Sequence, residues 1–152
     1  MTGAPSDFDF LHGTWQITNR RLKERLTGCT EWDEFPSRSV VTSGFGGAAN
    51  VDEISFPDGT YGLTLRLFHP KRQEWSLYWA SSTTGSVFPP VVGTFSDDVG
   101  EFFGDDTEGG TPVRVRFTWS GITATTARWE QAFSTDGGDT WETNWVMEMT
   151  RE

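Results

Sequence analysis

Disulfides are the first thing this chain lacks. Cys29 is its only cysteine, so neither an internal bridge nor a cysteine-cluster zinc site can form. Long apolar runs are missing too. No stretch has the length of a membrane-spanning helix, and Met1 to Asp9 has neither the basic region nor the apolar run of a signal peptide. Positive charge is scarce, with 12 Lys and Arg against 22 Asp and Glu and a formal net charge of −10. Nucleic acid and anionic membrane both demand a basic footprint, so neither is an expected partner. The acidic excess reads as a solubility device. Histidine is limited to His12 and His69, which leaves no His pair for a metal and no Ser-His-Asp order. The expectation is a cytoplasmic protein with no metal and no other cofactor.

What the chain does have is rings. Only 35% of its residues are hydrophobic, but they include 8 Trp and 12 Phe, and a few large rings fill a core that would otherwise need many aliphatics. At 152 residues the chain fits one domain over 1–152, with 1–5 read as a flexible tail.

Strand signals recur from Thr14 to the C-terminus, separated by turn residues, at a spacing of about 8–14 residues. Ser6 is placed to cap a short helical turn over Asp7–Leu11, which His12-Gly13 then breaks. Arg20–Leu26 reads as a continuation of the first strand. Period-2 alternation assigns the faces. Leu63, Leu65 and Leu67 fall on one side, with Thr64 and Arg66 on the other. Trp75, Leu77 and Trp79 share a face, as do Val113, Val115, Phe117 and Trp119. Arg114, Arg116 and Arg128 fall on the opposite, outer side. Apolar pairing sets the expected registers, Leu65 against Leu77 and Leu63 against Trp79, then Gln131 against Thr143 and Trp129 against Trp145. The fold class is all-β, a single antiparallel up-and-down barrel of about ten strands with a short N-terminal helical plug. Closure removes sheet edges, and a barrel this wide leaves room inside.

Two motifs stand out. Ser134-Thr135-Asp136-Gly137-Gly138-Asp139-Thr140-Trp141 matches an Asp box, whose physics is that of a hairpin turn. A single copy in so short a chain makes no propeller and carries no glycosidase inference. The second is Phe8-Asp9-Phe10-Leu11-His12-Gly13-Thr14-Trp15. It resembles the opening of lipocalin-like barrels, where a short plug precedes a Gly-x-Trp that closes the base. Further phrases are Arg21-Leu22-Lys23-Glu24-Arg25-Leu26, Trp32-Asp33-Glu34-Phe35, Pro90-Val91-Val92-Gly93 and Arg128-Trp129-Glu130-Gln131-Ala132-Phe133 through Trp145. Together they resemble a widespread bacterial family of lipocalin-like, calycin-type barrels. The resemblance implies the fold and brings no reaction with it. Haem-binding barrels of the nitrobindin kind carry an axial His near the C-terminus, and the last strand here has none. The Arg-x-Tyr of fatty-acid-binding barrels is missing as well.

The remaining polar residues read as scaffold. His69 before Pro70 is a turn residue, His12 has no identifiable catalytic partner, and Cys29 has no activating neighbour. The acidic set Asp97, Asp98, Glu101, Asp105, Asp106 and Glu108 fits no calcium-loop pattern. The candidate ligand-binding residues are therefore Trp15, Trp75, Trp79, Trp119, Trp129, Gln131, Thr143, Trp145 and Met147. The rings supply contact, and Gln131 with Thr143 supplies orientation. The expected function is binding of a small apolar or aromatic molecule inside the barrel. Two alternatives stand beside it. One is a cyclase or isomerase working on an enclosed substrate, which calls for an interior carboxylate, with Glu53, Glu130 and Glu142 as candidates. The other is an interaction module forming a homodimer through an exposed apolar patch.

Overall fold

The computed structural model describes residues 2–152. Eleven strands account for most of the chain. They are β1 (Gly13–Leu22), β2 (Trp32–Gly44), β3 (Ala49–Ser55), β4 (Tyr61–His69), β5 (Glu74–Ser81), β6 (Ser86–Val87), β7 (Val91–Ser96), β8 (Val99–Glu108), β9 (Thr111–Ser120), β10 (Thr126–Ser134) and β11 (Glu142–Arg151). Every pairing is antiparallel. The order β4-β3-β2-β1-β11-β10-β9-β8-β7-β5 returns to its start through a β4–β5 ladder, which closes a ten-stranded barrel. β6 is a two-residue strand outside the ring, paired only with β5.

Among the described residues no helix plugs the barrel. The segment expected to form one makes turns and a three-residue 3-10 turn, Asp9–Leu11. A full helix is unnecessary, because two side chains do the closing. Phe8 and Leu11 are buried at the base. Phe8 meets Trp75 and Phe95 edge-on at 5.0 Å and stacks near Phe102 at 5.7 Å. The indole nitrogen of Trp15 donates to the Leu11 carbonyl at 2.8 Å. Arg151, at the end of the last strand, donates to the carbonyls of Phe10 and His12 and lies over the Trp15 ring at 4.4 Å. The expectation of a loose tail over 1–5 lies outside the described residues at Met1. From Gly3 onward the chain is held, with Gly3 N donating to the Gln73 carbonyl at 2.7 Å and Trp75 Nε1 to the Ala4 carbonyl at 3.1 Å.

Two segments expected to be separate strands, Glu31–Phe35 and Ser39–Phe45, form the single strand β2. Pro36 sits within it opposite Thr18. Pro36 donates no hydrogen bond, but its fixed φ suits an extended chain and its exposed position tolerates the missing donor. The Arg20–Leu26 reading holds to Leu22. Beyond it the chain bends, and Leu26 adopts a φ of 63°.

The largest correction is to β4. Its register against β5 pairs Arg66 with Leu77 and Thr64 with Trp79, one residue from the apolar matching. A one-residue slip turns every side chain to the other face. Leu63, Leu65 and Leu67 therefore point outward, with Leu63 42% exposed, while Thr64 and Arg66 are buried inside. The reason lies in β3, where Asn50, Asp52 and Ile54 face inward. An interior Asp52 needs a cation, and the observed register delivers Arg66 to it.

The β10–β11 register is also displaced. Trp129 pairs with Met147 and Gln131 with Trp145, two residues from the expected match. A bulge at Gln131/Ala132 then sets Thr143 opposite Ala132. The two-residue displacement preserves the faces, so Trp129, Trp145, Met147 and Met149 still point inward. The bulge changes parity above it and removes Thr143 from the interior.

Candidate functional site

The barrel interior divides by depth. At the base Trp15 and Trp75 are completely buried, within a cluster that includes Phe8, Leu11 and Phe102. Above it lies an inner cavity of about 50 Å3, walled by Ile17, Leu77, Trp119, Trp129, Met147 and Met149 with the polar Ser39, Asp52, Thr64 and Arg66. Nearer the mouth lies a chamber of about 760 Å3, lined in part by Arg21, Arg25, Asp58, Phe88 and Asp106. Leu77, Trp79, Phe117, Gln131 and Trp145 border both spaces, so the chamber and the cavity adjoin across these side chains.

An aromatic wall separates the two levels. Trp145 meets Trp129 at 5.8 Å and Trp79 at 6.2 Å, both edge-on, and Phe117 meets Trp129 edge-on at 5.0 Å. Edge-to-face packing leaves ring faces available to a guest while the edges hold one another. The wall is fixed by hydrogen bonds as well as by packing. Trp145 Nε1 donates to Asn19 Oδ1 at 3.0 Å, and Asn19 Nδ2 in turn donates to Ser37 Oγ at 2.8 Å. Gly62 makes room for Trp79. A Cβ at Gly62 would stand 1.9 Å from the Trp79 ring, so any larger residue moves the indole.

Gln131 is the polar group on this wall. Its Nε2 donates to Asn144 Oδ1 at 2.8 Å, and the amide borders both spaces. Thr143, expected to share that face, lines neither space, because the bulge carries it away. Trp15 and Trp75 also line neither. Their parity is right, but they lie too deep, under the floor of the cavity. Of the nine candidates, Trp79, Trp119, Trp129, Gln131, Trp145 and Met147 are brought together around the open volume.

Sequence reasoning missed the buried polar group opposite this wall. Arg66 Nη2 lies 2.7 Å from Asp52 Oδ2, and Nη1 donates to Asn50 Oδ1 at 3.0 Å. Arg66 is 4% exposed and Asp52 3% exposed. The guanidinium also sits 5.6 Å from the ring centroids of Phe8 and of Trp119. The alternation Asn50-Val51-Asp52-Glu53-Ile54 carried an ambiguous signal, since its only firmly apolar pair, Val51 and Ile54, differs in parity.

The three glutamates named as candidate interior carboxylates are otherwise engaged. Glu53 is exposed, Glu130 pairs with Arg128 at 3.5 Å on the outer face, and Glu142 accepts the Leu26 amide at 2.7 Å. Arg25 at the mouth has its pKa lowered, chiefly by burial. Glu108 at 3.7 Å opposes that shift, neighbouring Arg21 adds to it, and Glu142 opposes it. Arg21 lies over Phe35 at 4.8 Å and Trp145 at 5.0 Å.

The Asp box forms the expected hairpin. Asp136 accepts from Ser134 Oγ at 2.6 Å and from the Thr140 amide at 2.9 Å, while Trp141 Nε1 donates to the Gly138 carbonyl at 3.0 Å. It stands outside the barrel, clear of both spaces. His69, expected in the turn, is the last residue of β4 opposite Glu74, and its Nδ1 accepts the Arg72 amide of the following turn at 3.1 Å.

Neither a family model nor a curated protein matches the chain. Solved structures do. A redesigned β-barrel is 9% identical with a TM-score of 0.54, and the match covers 99% of each chain. An S-type phycobiliprotein lyase, CPES, from Guillardia theta is 12% identical with a TM-score of 0.57, over 95% of this chain and 90% of that one. At such identities the likeness concerns the fold, which is that of a lipocalin-like barrel.

Proposed function

We propose that this barrel binds a small, largely apolar aromatic molecule. The ring system lies against Trp79, Phe117, Trp129 and Trp145, and Gln131 orients it. The observation that carries this reading is a chamber of about 760 Å3 that shares its aromatic wall with the inner cavity. A barrel that served only as a scaffold would gain stability by filling that volume with side chains. The likeness to a phycobiliprotein lyase agrees with a small-molecule role and adds no ligand identity.

The test has two arms. Protein purified gently from its own host should show, by native mass spectrometry, a discrete additional mass that is lost on denaturation. Emptied protein should bind 8-anilinonaphthalene-1-sulfonate at one saturable site, with quenching of tryptophan emission. Absence of both the added mass and the saturable site would reject the proposal.

A further inference from the structure

Among the described residues, Ser39 Oγ, Asp52 Oδ1, Arg66 Nε and Trp119 Nε1 are buried without a hydrogen-bond partner. All four side chains are more than nine-tenths buried, and all four line the inner cavity. A buried polar atom left unpaired is destabilising, so four around one small space mark a place built to receive a partner. They also lie near one another. Asp52 and Arg66 touch at 2.7 Å, and Arg66 lies 5.6 Å from the Trp119 ring. Ser39 is two positions from Val41, which pairs with Asp52 across β2 and β3.

Their chemistry defines the partner. Arg66 Nε–H and Trp119 Nε1–H can only donate, the free oxygen of ionised Asp52 can only accept, and Ser39 can do either. The Arg66 and Asp52 charges cancel, so the floor is polar but neutral. An anion entering it would face the free carboxylate oxygen, and a cation would face the guanidinium. The volume of about 50 Å3 holds a few heavy atoms and no ring system.

We infer that the inner cavity is a subsite for a neutral group with an N–H donor beside a carbonyl acceptor, such as a carboxamide or lactam, borne by the deep end of the ligand. This deepens the proposed function and rests on it. The carbonyl accepts from Trp119 and Arg66, the N–H donates to Asp52, and the ring system extends past Trp129 and Trp145 into the outer chamber.

Three probes of one ring system separate the possibilities, namely 2-naphthamide, 2-naphthoate and naphthalene, compared by equilibrium dialysis on the intact protein. The amide should bind about tenfold more tightly than either of the others, the scale of one or two well-made buried hydrogen bonds. Trp119→Phe keeps the ring and removes the donor. It should lower amide affinity several-fold, and lower it by more than it lowers naphthalene affinity. Asp52→Asn leaves Arg66 uncompensated and should turn the preference from amide to naphthoate, with circular dichroism used to confirm folding. Equal affinities for the three probes, or a wild-type preference for naphthoate, would overturn the subsite alone. No binding of any probe, together with no sulfonate-dye binding, would overturn the subsite and the proposed function together.

Discussion

The two ends of the barrel use the same residue for opposite purposes. At the closed end Trp15 and Trp75 are wholly buried, and each indole N–H is tied to a main-chain carbonyl of the N-terminal segment. Near the mouth Trp79 and Trp145 pack edge-on around open volume. Both sets lie on inward positions of their strands, so parity does not tell them apart. What separates them is height along the barrel, and therefore whether the segment Phe8–Leu11 reaches them. Packing at the base supplies rigidity, and incomplete packing above it leaves the space that a guest would fill.

Trp15→Ala should break the closed end most severely. Removing a fully buried indole leaves a cavity in a region with nothing to collapse into it, at a cost of about 3–5 kcal/mol read from urea unfolding. Gly62→Ala tests the other end. Its methyl would drive the Trp79 ring into the chamber, so dye affinity should fall by about tenfold while the protein loses about 1–3 kcal/mol. An unchanged affinity would mean that Trp79 is not part of the binding wall. Trp79→Ala sharpens the contrast with Trp15. Its ring is only partly buried and already borders open volume, so the loss should be about 1–2 kcal/mol by the same unfolding measurement.

The smallest effect belongs to the exposed Asp box. Hydrogen bonds from Ser134 and Thr140 hold the Asp136 carboxyl well below the usual aspartate range. Because the folded pKa is depressed, the stabilisation is present above the unfolded value and is lost only as pH falls through the lower folded one. By carboxyl NMR, Asp136 should still be ionised near about pH 3, where ordinary aspartates are mostly protonated. Protonation at the ordinary value would show that these hydrogen bonds do not persist in solution.

Strand number, strand limits and the closed all-β class were largely legible, because alternation against a wet outer face repeats along most of the chain. Val113–Trp119 shows this plainly, with its valines and rings inside and Arg114 and Arg116 outside. β4 was misread for a physical reason. Three leucines at even spacing are a plain apolar pattern, and pairing them with Trp75, Leu77 and Trp79 maximises apolar contact within that hairpin. The register is instead set from the other side, where β3 carries Asp52 inward and Arg66 answers it. That pairing spans 14 residues and leaves no local trace. The bulge that displaces Thr143 is likewise invisible to a two-residue period. Six of the nine candidate residues border the open volume. Trp15, Trp75 and Thr143 do not, two for their depth and one for the bulge.

The seam between β1 and β11 has a consequence for how the molecule comes into being. Nearly every other ladder joins strands that follow one another in the chain, so those contacts form over short loops. Trp15 must wait for Arg151 and Arg21 for Trp145. During synthesis, therefore, the first strand leaves the ribosome with one edge unpaired and holds it so until the last strand emerges. Contacts of this separation slow folding and lengthen the time an open edge is exposed to other chains. Arg151, reaching back to the carbonyls of Phe10 and His12, fastens the final strand to the turn that precedes the first, so the contact that closes the seam also seals the base.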